Sequence, residues 1–451
     1  MRRISRRTGT SSTRSPATPP EVLHLGIYIQ VPGSHAAGWR HPEAATRAQD
    51  FDLIRRIALT AERGKFDFVF FADSYGARPE GHPSMVARFE PLTLLGALAA
   101  TTSHIGIGAT ASTTYCQPFH LARAFASIDH LSGGRAAWNV VTGSVPGDAV
   151  NFGTKAHPAH DDRYAIAEEF VDVVNGLWDG WDDDALVLDK ASGRFVDPGG
   201  LHPLNHQGAH FSVKGPLNIS RSPQGRPVII QAGSSGVGQA LAARTADIVF
   251  TSQLMLDSAR DFHAGFKARV AGFGRKPGSV ALMPGLVPFI GRTRQEAQDS
   301  LARLTDEIPP ATAYGALQHR LGHDVSGYPL DGPVPVLPPS DTLQHHAVML
   351  AEYARRQGMT LRDLYRMVAS GMGQLMVCGT PSDIADTIEE WYRAGAADGF
   401  MLMPPWYPGP FDLFVEQVVP DLQRRGIFRR DYTGTTLRDH LGIPRPAPRR
   451  G

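Results

Sequence analysis

"PLTLLGALAATTSHIGIGATASTTYCQPFHLARAFASIDHLSGGRAAWNVV", residues 91–141, decides the fold. Pro91 suits a helix first turn, and 91–102 reads as a helix. "HIGIGAT" (104–110) is a short apolar strand. "PFHLARAFASIDHLSGG" (118–134) is a helix closed by glycines, and "RAAWNVV" (135–141) is a strand again. Neither strand alternates apolar with polar residues, so both suit a parallel sheet covered on both faces.

The same alternation continues on either side. Upstream, "HLGIYIQV" (24–31) and "FDFVFFA" (66–72) read as strands, separated by a helix over 44–64 that ends on Gly64. Downstream come "PVIIQA" (227–232), a helix at 235–244, "DIVFT" (247–251), a helix near 257–270 and "VALMPGLVPFI" (280–290). Residues 383–404 are helix, glycine, then strand. About eight such units predict a closed (β/α)8 TIM barrel rather than an open sheet. The barrel spans residues 21–445, with insertions near 144–225 and 305–380. The insertion at 144–225 carries one helix over 162–178, and the other carries two helical segments.

Composition restricts the function classes. Hydrophobic content is 42%, charged content 20% and the formal net charge +1, so no broad charged field points to nucleic acid or a polyanion. The two cysteines, Cys116 and Cys378, read as reduced thiols of a cytoplasmic enzyme. The basic, Ser- and Pro-rich segment 1–20 reads as a disordered tail without the apolar core of a signal peptide. No apolar run is long enough to span a membrane. The 18 histidines lack the partner spacing of a metal site. G-x-S-x-G and G-x-G-x-x-G are both absent, which argues against a hydrolase elbow and a Rossmann-type nicotinamide site.

In a barrel, the site forms at the carboxyl ends of the strands. Asp73, Thr110 and Asn139 stand at three such ends. Gln231, Gly233, Ser234 and Ser235 follow a fourth, and Thr251 and Ser252 follow a fifth. Ser234 and Ser235 open a helix directly after a strand and Gly233, an arrangement suited to phosphate; a plain helix cap is the alternative. His160 and Tyr164, four apart at a helix start, share a face.

The long motifs carry a resemblance. "RFEP" (88–91), "IDHLSGGRAAWN" (128–139), "NFG" (151–153), "HDDRY" (160–164), "LNHQGAHFSVKGPLNISRSPQGRPVIIQAGSS" (204–235) and "AADGFMLMPP" (396–405) resemble the bacterial-luciferase-like flavin monooxygenases. The nearest group is that of the nitrilotriacetate and dibenzothiophene-sulfone monooxygenases, and the likeness runs from about residue 23 to about 444.

The resemblance implies a two-component monooxygenase. It would use reduced FMN and O2 to oxygenate a small organic substrate through a flavin hydroperoxide. A separate NAD(P)H-dependent flavin reductase would supply the electrons, and the enzyme would assemble as a homodimer or homotetramer. Family FMN contacts carry over to Asp73, Thr110, Asn139, His160, Tyr164, Ser234 and Ser235. The phosphate would sit on Ser234, Ser235 and Tyr164, and the isoalloxazine would lie across Asp73, Thr110 and Asn139. Trp138 would then face away from the ring, into helix or barrel packing.

No catalytic acid or base follows from the residues; His35 after the first strand reads as a loop histidine, and Cys116 as a small buried hydrophobe. A deazaflavin-dependent oxidoreductase of the same barrel, or a non-catalytic flavin binder, are the alternatives. Tyr75, Met85, Tyr314 and Tyr328, without a cluster of Arg or Lys around them, point to a neutral, moderately apolar substrate. The C-terminal stretch 411–444 is a candidate subunit contact, because "FDLFVEQVVPDLQRRGIF" (411–428) carries an apolar stripe at helical spacing, with packing of that stripe on its own barrel the alternative.

Overall fold

The structure is a computed structural model that describes residues 22–77, 82–143, 145–153, 156–232, 235–337 and 344–448. The expected disordered tail lies outside them, as do Gly233 and Ser234. Nine parallel strands make one sheet: β1 His24–Tyr28, β2 Phe68–Phe71, β3 Gly106–Ser112, β4 Ala136–Val141, β5 Val228–Gln231, β6 Ile248–Thr251, β7 Ala281–Ile290, β8 Leu375–Gly379 and β9 Gly399–Leu402. Eight of them close a barrel in the order β1-β2-β3-β4-β5-β6-β7-β9, with β9 returning to β1.

Strand β7 is ten residues long and forks. Its first half pairs with β6, from Ile248↔Ala281 to Thr251↔Pro284. On its other edge Gly285 and Leu286 meet β9, and from Leu286 to Ile290 the partner is β8. Strand β8, inside the stretch expected as insertion, is therefore a ninth strand on the outer half of β7.

The connecting helices are α1 Phe51–Arg63, α2 Pro91–Ala99, α3 Pro118–Ser132, α4 His160–Trp178, α5 Gly236–Thr245, α6 Leu256–Gly272 and α7 Arg294–Asp306. Helices α8 Pro310–Leu321, α9 Gln344–Arg356 and α10 Leu361–Gly371 follow in 305–380, and α11 Pro381–Arg393 lies between β8 and β9. Helices α8 to α10 share a separate small core around Leu317, Leu321, Leu350, Leu361 and Leu364. The region after β4 also holds two short antiparallel hairpins, Leu186–Asp189 with Arg194–Val196 and His206–Gln207 with Ser212–Val213.

The opening motif builds the closed end of the barrel. Gly133 and Gly134 end α3 at φ +70 and +92, the left-handed region that glycine enters without penalty. Arg135 is buried and donates to Thr102 Oγ1 at 2.8 Å and to the carbonyls of Ser132 at 2.6 Å, Ile105 at 2.7 Å and Thr102 at 2.8 Å. Its guanidinium thus satisfies carbonyls at the end of α3 and in the loop after α2. Leu437, Leu441 and Ile443 pack beneath Phe68, Ala137, Val228 and Ile248 and close the N-terminal mouth. A Cβ on Gly106 would lie 2.6 Å from Leu437 Cδ1, so glycine is what lets the plug approach. Among the described residues, the barrel interior is left open at its carboxyl end.

The stripe at 411–428 is taken up within the chain. Phe411, Phe414, Val418 and Leu422 are buried in the single polypeptide, with Phe411 and Phe414 edge-on to Phe66. Among the described residues, no helix is long and apolar enough to cross a membrane.

Candidate active site

Two cavities, each of about 270 Å³, lie at the carboxyl ends of the strands and meet at Ala232. The first is lined by Asp73, Thr110, Ser112, Gly143, Tyr164 and Gln231, among others, and reaches Leu241 of α5. The second is lined by Tyr28, Phe70, Asn139, Ser252, Arg320 and Gln374, with Met349, Met372, Met401 and Met403.

Residue alternation along β4 explains the Trp-Asn pair. Trp138 is fully buried on the helix side, among Phe125, Phe170 and Trp178, and its Nε1 donates to Ala111 O at 3.1 Å. Asn139 faces the barrel interior, where its Nδ2 donates to Thr110 Oγ1 at 2.8 Å across the Thr110↔Asn139 register. Asn139 Oδ1 is buried and, among the described residues, has no hydrogen-bond partner. A buried acceptor left open costs free energy unless a ligand donor meets it.

Asp73 follows β2 and accepts the Ser74 N–H at 2.8 Å. Burial pushes its carboxyl up to about 6, while the Ser74 amide and the Arg88 guanidinium pull it down. The Asp73 side chain therefore changes charge close to neutral pH.

Tyr164 lines the first cavity, and the His160 ring stands 4.9 Å from it. His160 Nδ1 lies 2.9 Å from Asp161 Oδ1, so His160 is engaged by its neighbour rather than by the cavity wall. Ser235 is the N-cap of α5: its Oγ accepts from Gly238 N–H at 3.1 Å. The cap leaves the Ser235 hydroxyl hydrogen free to donate.

The loops after β2, β3 and β4 meet in an aromatic rim. Tyr115 stacks on Phe152 of the "NFG" motif at 4.5 Å, Tyr75 packs edge-on to both, and Tyr115 Oη lies 2.7 Å from His157 Nδ1. Tyr75 and Met85 line the first cavity. Tyr314 packs in the α8–α10 core instead, and Tyr328 is exposed.

Some expectations lead elsewhere. His35 is fully buried, with Nδ1 accepting the Ala37 N–H at 3.0 Å and its ring edge-on to Phe289; burial holds its pKa down at about 3, so it is neutral. Cys116 lines a separate groove with Gln117 and His120, and both cysteines are free. Among the described residues, no cluster of His, Cys, Asp or Glu could hold a metal ion. Sequence reasoning missed Tyr28, Arg320 and Gln374. Tyr28 and Gln374 lie inside or beside strands, and Arg320 lies near the end of a helix; none carries a local motif.

Comparison with known proteins agrees with this architecture. The family model of luciferase-like monooxygenases matches residues 32–398. The N-acetyl-S-(2-succino)cysteine monooxygenase of Bacillus subtilis (strain 168) is 50% identical over 95% of this chain and 98% of its own. Nitrilotriacetate monooxygenase component A of Aminobacter aminovorans is 45% identical over 94% of this chain and 97% of its own. A riboflavin lyase, solved with a modified FMN and riboflavin, superposes with a TM-score of 0.84 at 34% identity, covering 94% of this chain and 96% of its own. With a closed parallel barrel, and relatives that match along almost its whole length, the chain belongs to the luciferase-like monooxygenase family of oxidoreductases.

Proposed function

We propose that the protein is the oxygenase of a two-component monooxygenase that takes reduced FMN from a separate NAD(P)H-dependent flavin reductase and uses O2 to oxygenate a small organic substrate. The observation that carries this reading is the open acceptor Asn139 Oδ1, buried beside Thr110 on the wall of the second cavity, while Thr110 and Asp73 line the first. A flavin ring has the N–H and C=O edge that such a set of side chains would satisfy. One relative is named as a component A, and the riboflavin lyase was solved with a modified FMN, which supports the cofactor and the two-component arrangement.

Reduced FMN, when bound, supplies the electrons that activate O2. The chain's own residues bind and shield it. Ser234 and Ser235, with the first amides of α5, would hold the phosphate together with Tyr164. His160 would act behind Tyr164, keeping its ring in place. Thr110 and Asn139 would orient the ring, and Asp73 would accept or donate at its edge according to pH. The Met and Phe walls of the second cavity exclude water from the reacting centre.

The test is product formation under 18O2. Enzyme supplied with photoreduced FMN and a substrate should give product carrying one 18O atom. Turnover without oxygen, driven by a reduced deazaflavin, would overturn the reading, as would flavin binding with no oxygenated product from any substrate.

A further inference from the structure

The second cavity holds a charge that the flavin-binding set does not explain. Arg320 reaches its wall from the last turn of α8, in the segment between β7 and β8. The surroundings are Tyr28, Phe70, Phe250 and four methionines. Among the described residues, no carboxylate lies within ion-pair distance of Arg320. The guanidinium keeps its proton at any working pH. Burial disfavours its charged form, and among the described residues the Tyr28 phenol acts the other way.

The electrostatics around it point one way. Arg88 and Arg320 both act on Tyr28 and on His82. Arg88 is already engaged by the carbonyl of Ser84 at 2.9 Å and that of Ala72 at 3.3 Å. Among the described residues, the one carboxyl that acts on Tyr28 is Asp73, which stands in the other cavity. Gln374 adds a further polar group on the same wall: its Nε2 donates to Ser252 Oγ at 2.7 Å. An unpaired charge on an apolar wall is costly, and a ligand anion removes that cost. A guanidinium also presents the planar fork that fits a carboxylate.

We propose that Arg320 is a specificity-determining residue that binds a carboxylate of the substrate, so that the enzyme acts on an organic anion whose less polar part rests on the methionine-lined wall. This rests on the monooxygenase reading and replaces the neutral substrate expected from the sequence. The insertion carrying α8 then selects the substrate, while the barrel strands carry the cofactor site.

The test compares acids with their esters. Nitrilotriacetate, N-acetyl-S-(2-succino)cysteine and the methyl ester of each are offered with photoreduced FMN, beside neutral dibenzothiophene sulfone. At least one acid should be oxygenated, with kcat/KM about 100-fold above its ester, the scale of a lost charge-assisted hydrogen-bond pair. Arg320→Met should raise KM for the acid about 30-fold or more and change kcat far less, while reduced-FMN affinity holds within about twofold. Arg320→Lys should recover part of the loss. Preference for ester or sulfone overturns the proposal and leaves the monooxygenase reading standing. Loss of FMN affinity in Arg320→Met with an unchanged KM overturns it too, by giving the guanidinium to the flavin. If none of these compounds is oxygenated, calorimetry of the acids with FMN-loaded protein decides. Binding that Arg320→Met abolishes supports the anion site, and no binding to the wild type overturns it.

Discussion

Asp73 shows how one side chain ties the site to stability. Its carboxyl sits at about 6 in the folded protein, above the ordinary value near 3.8, because burial disfavours the anion. The sign follows directly. Below the unfolded pKa both states are protonated and nothing is lost. As pH rises through the unfolded pKa, the unfolded chain ionises first and stability falls, until the folded carboxyl ionises near 6 and the loss levels off. Asp73→Asn removes this titration. The variant should gain stability relative to wild type between about pH 4 and pH 6 and hold that gain above it. Urea unfolding of both proteins at several pH values checks it; a difference that does not change with pH refutes the assignment. Asn139 illustrates another residue-scale point: its partner Thr110 is an adjacent-strand neighbour, so its open Oδ1 is held by the register itself.

At the scale of elements, the same short segments serve both fold and site. Strand β4 sends Trp138 into the α3–α4 packing and Asn139 into the barrel, so a one-residue slip would exchange core and site. Helix α5 is the other case. Ser235 caps it through Gly238, and the same helix start is the proposed phosphate seat. Ser235→Ala should cost about 1 kcal/mol of stability from the cap alone. Losing a hydrogen bond to a phosphate should also weaken reduced-FMN binding about tenfold, with the double Ser234/Ser235 alanine variant weaker still. Riboflavin, which has no phosphate, separates the two roles. Its affinity should stay near the wild-type value, and an equal loss for FMN and riboflavin would place the phosphate elsewhere.

For the whole molecule, the closed end matters as much as the open one. Leu437, Leu441 and Ile443 plug the N-terminal mouth, so the flavin and substrate of the proposed reaction would share the carboxyl end. A nicotinamide would have to enter that same space, and the chain carries no dinucleotide-binding glycine motif. The purified enzyme with FMN should therefore leave NADH and NADPH unoxidised. Adding a flavin reductase should start substrate oxygenation, and chemically reduced FMN should replace the reductase for one turnover. Product formed from NADH by the enzyme alone would refute the two-component arrangement. Assembly as a homodimer or homotetramer remains a proposal, and it needs a face other than the 411–428 stripe, whose large side chains are already buried in the single chain.

The sequence by itself determined the eight barrel strands, the helices between them and which residues stand at the strand ends. These are local properties: continuous apolar runs, Pro at helix starts, Gly at helix ends, and the rule that barrel sites form at carboxyl ends. Asp73, Thr110 and Asn139 were legible for that reason. The tertiary structure alone decided that β8 attaches outside the ring, that the C-terminal segment plugs the barrel, and that the stripe at 411–428 faces inward. It alone brought Arg320 into one cavity with Tyr28 and Gln374. Each of these depends on contacts between residues tens to hundreds of positions apart, which no periodicity or short motif encodes, because chain closure rather than local preference selects them.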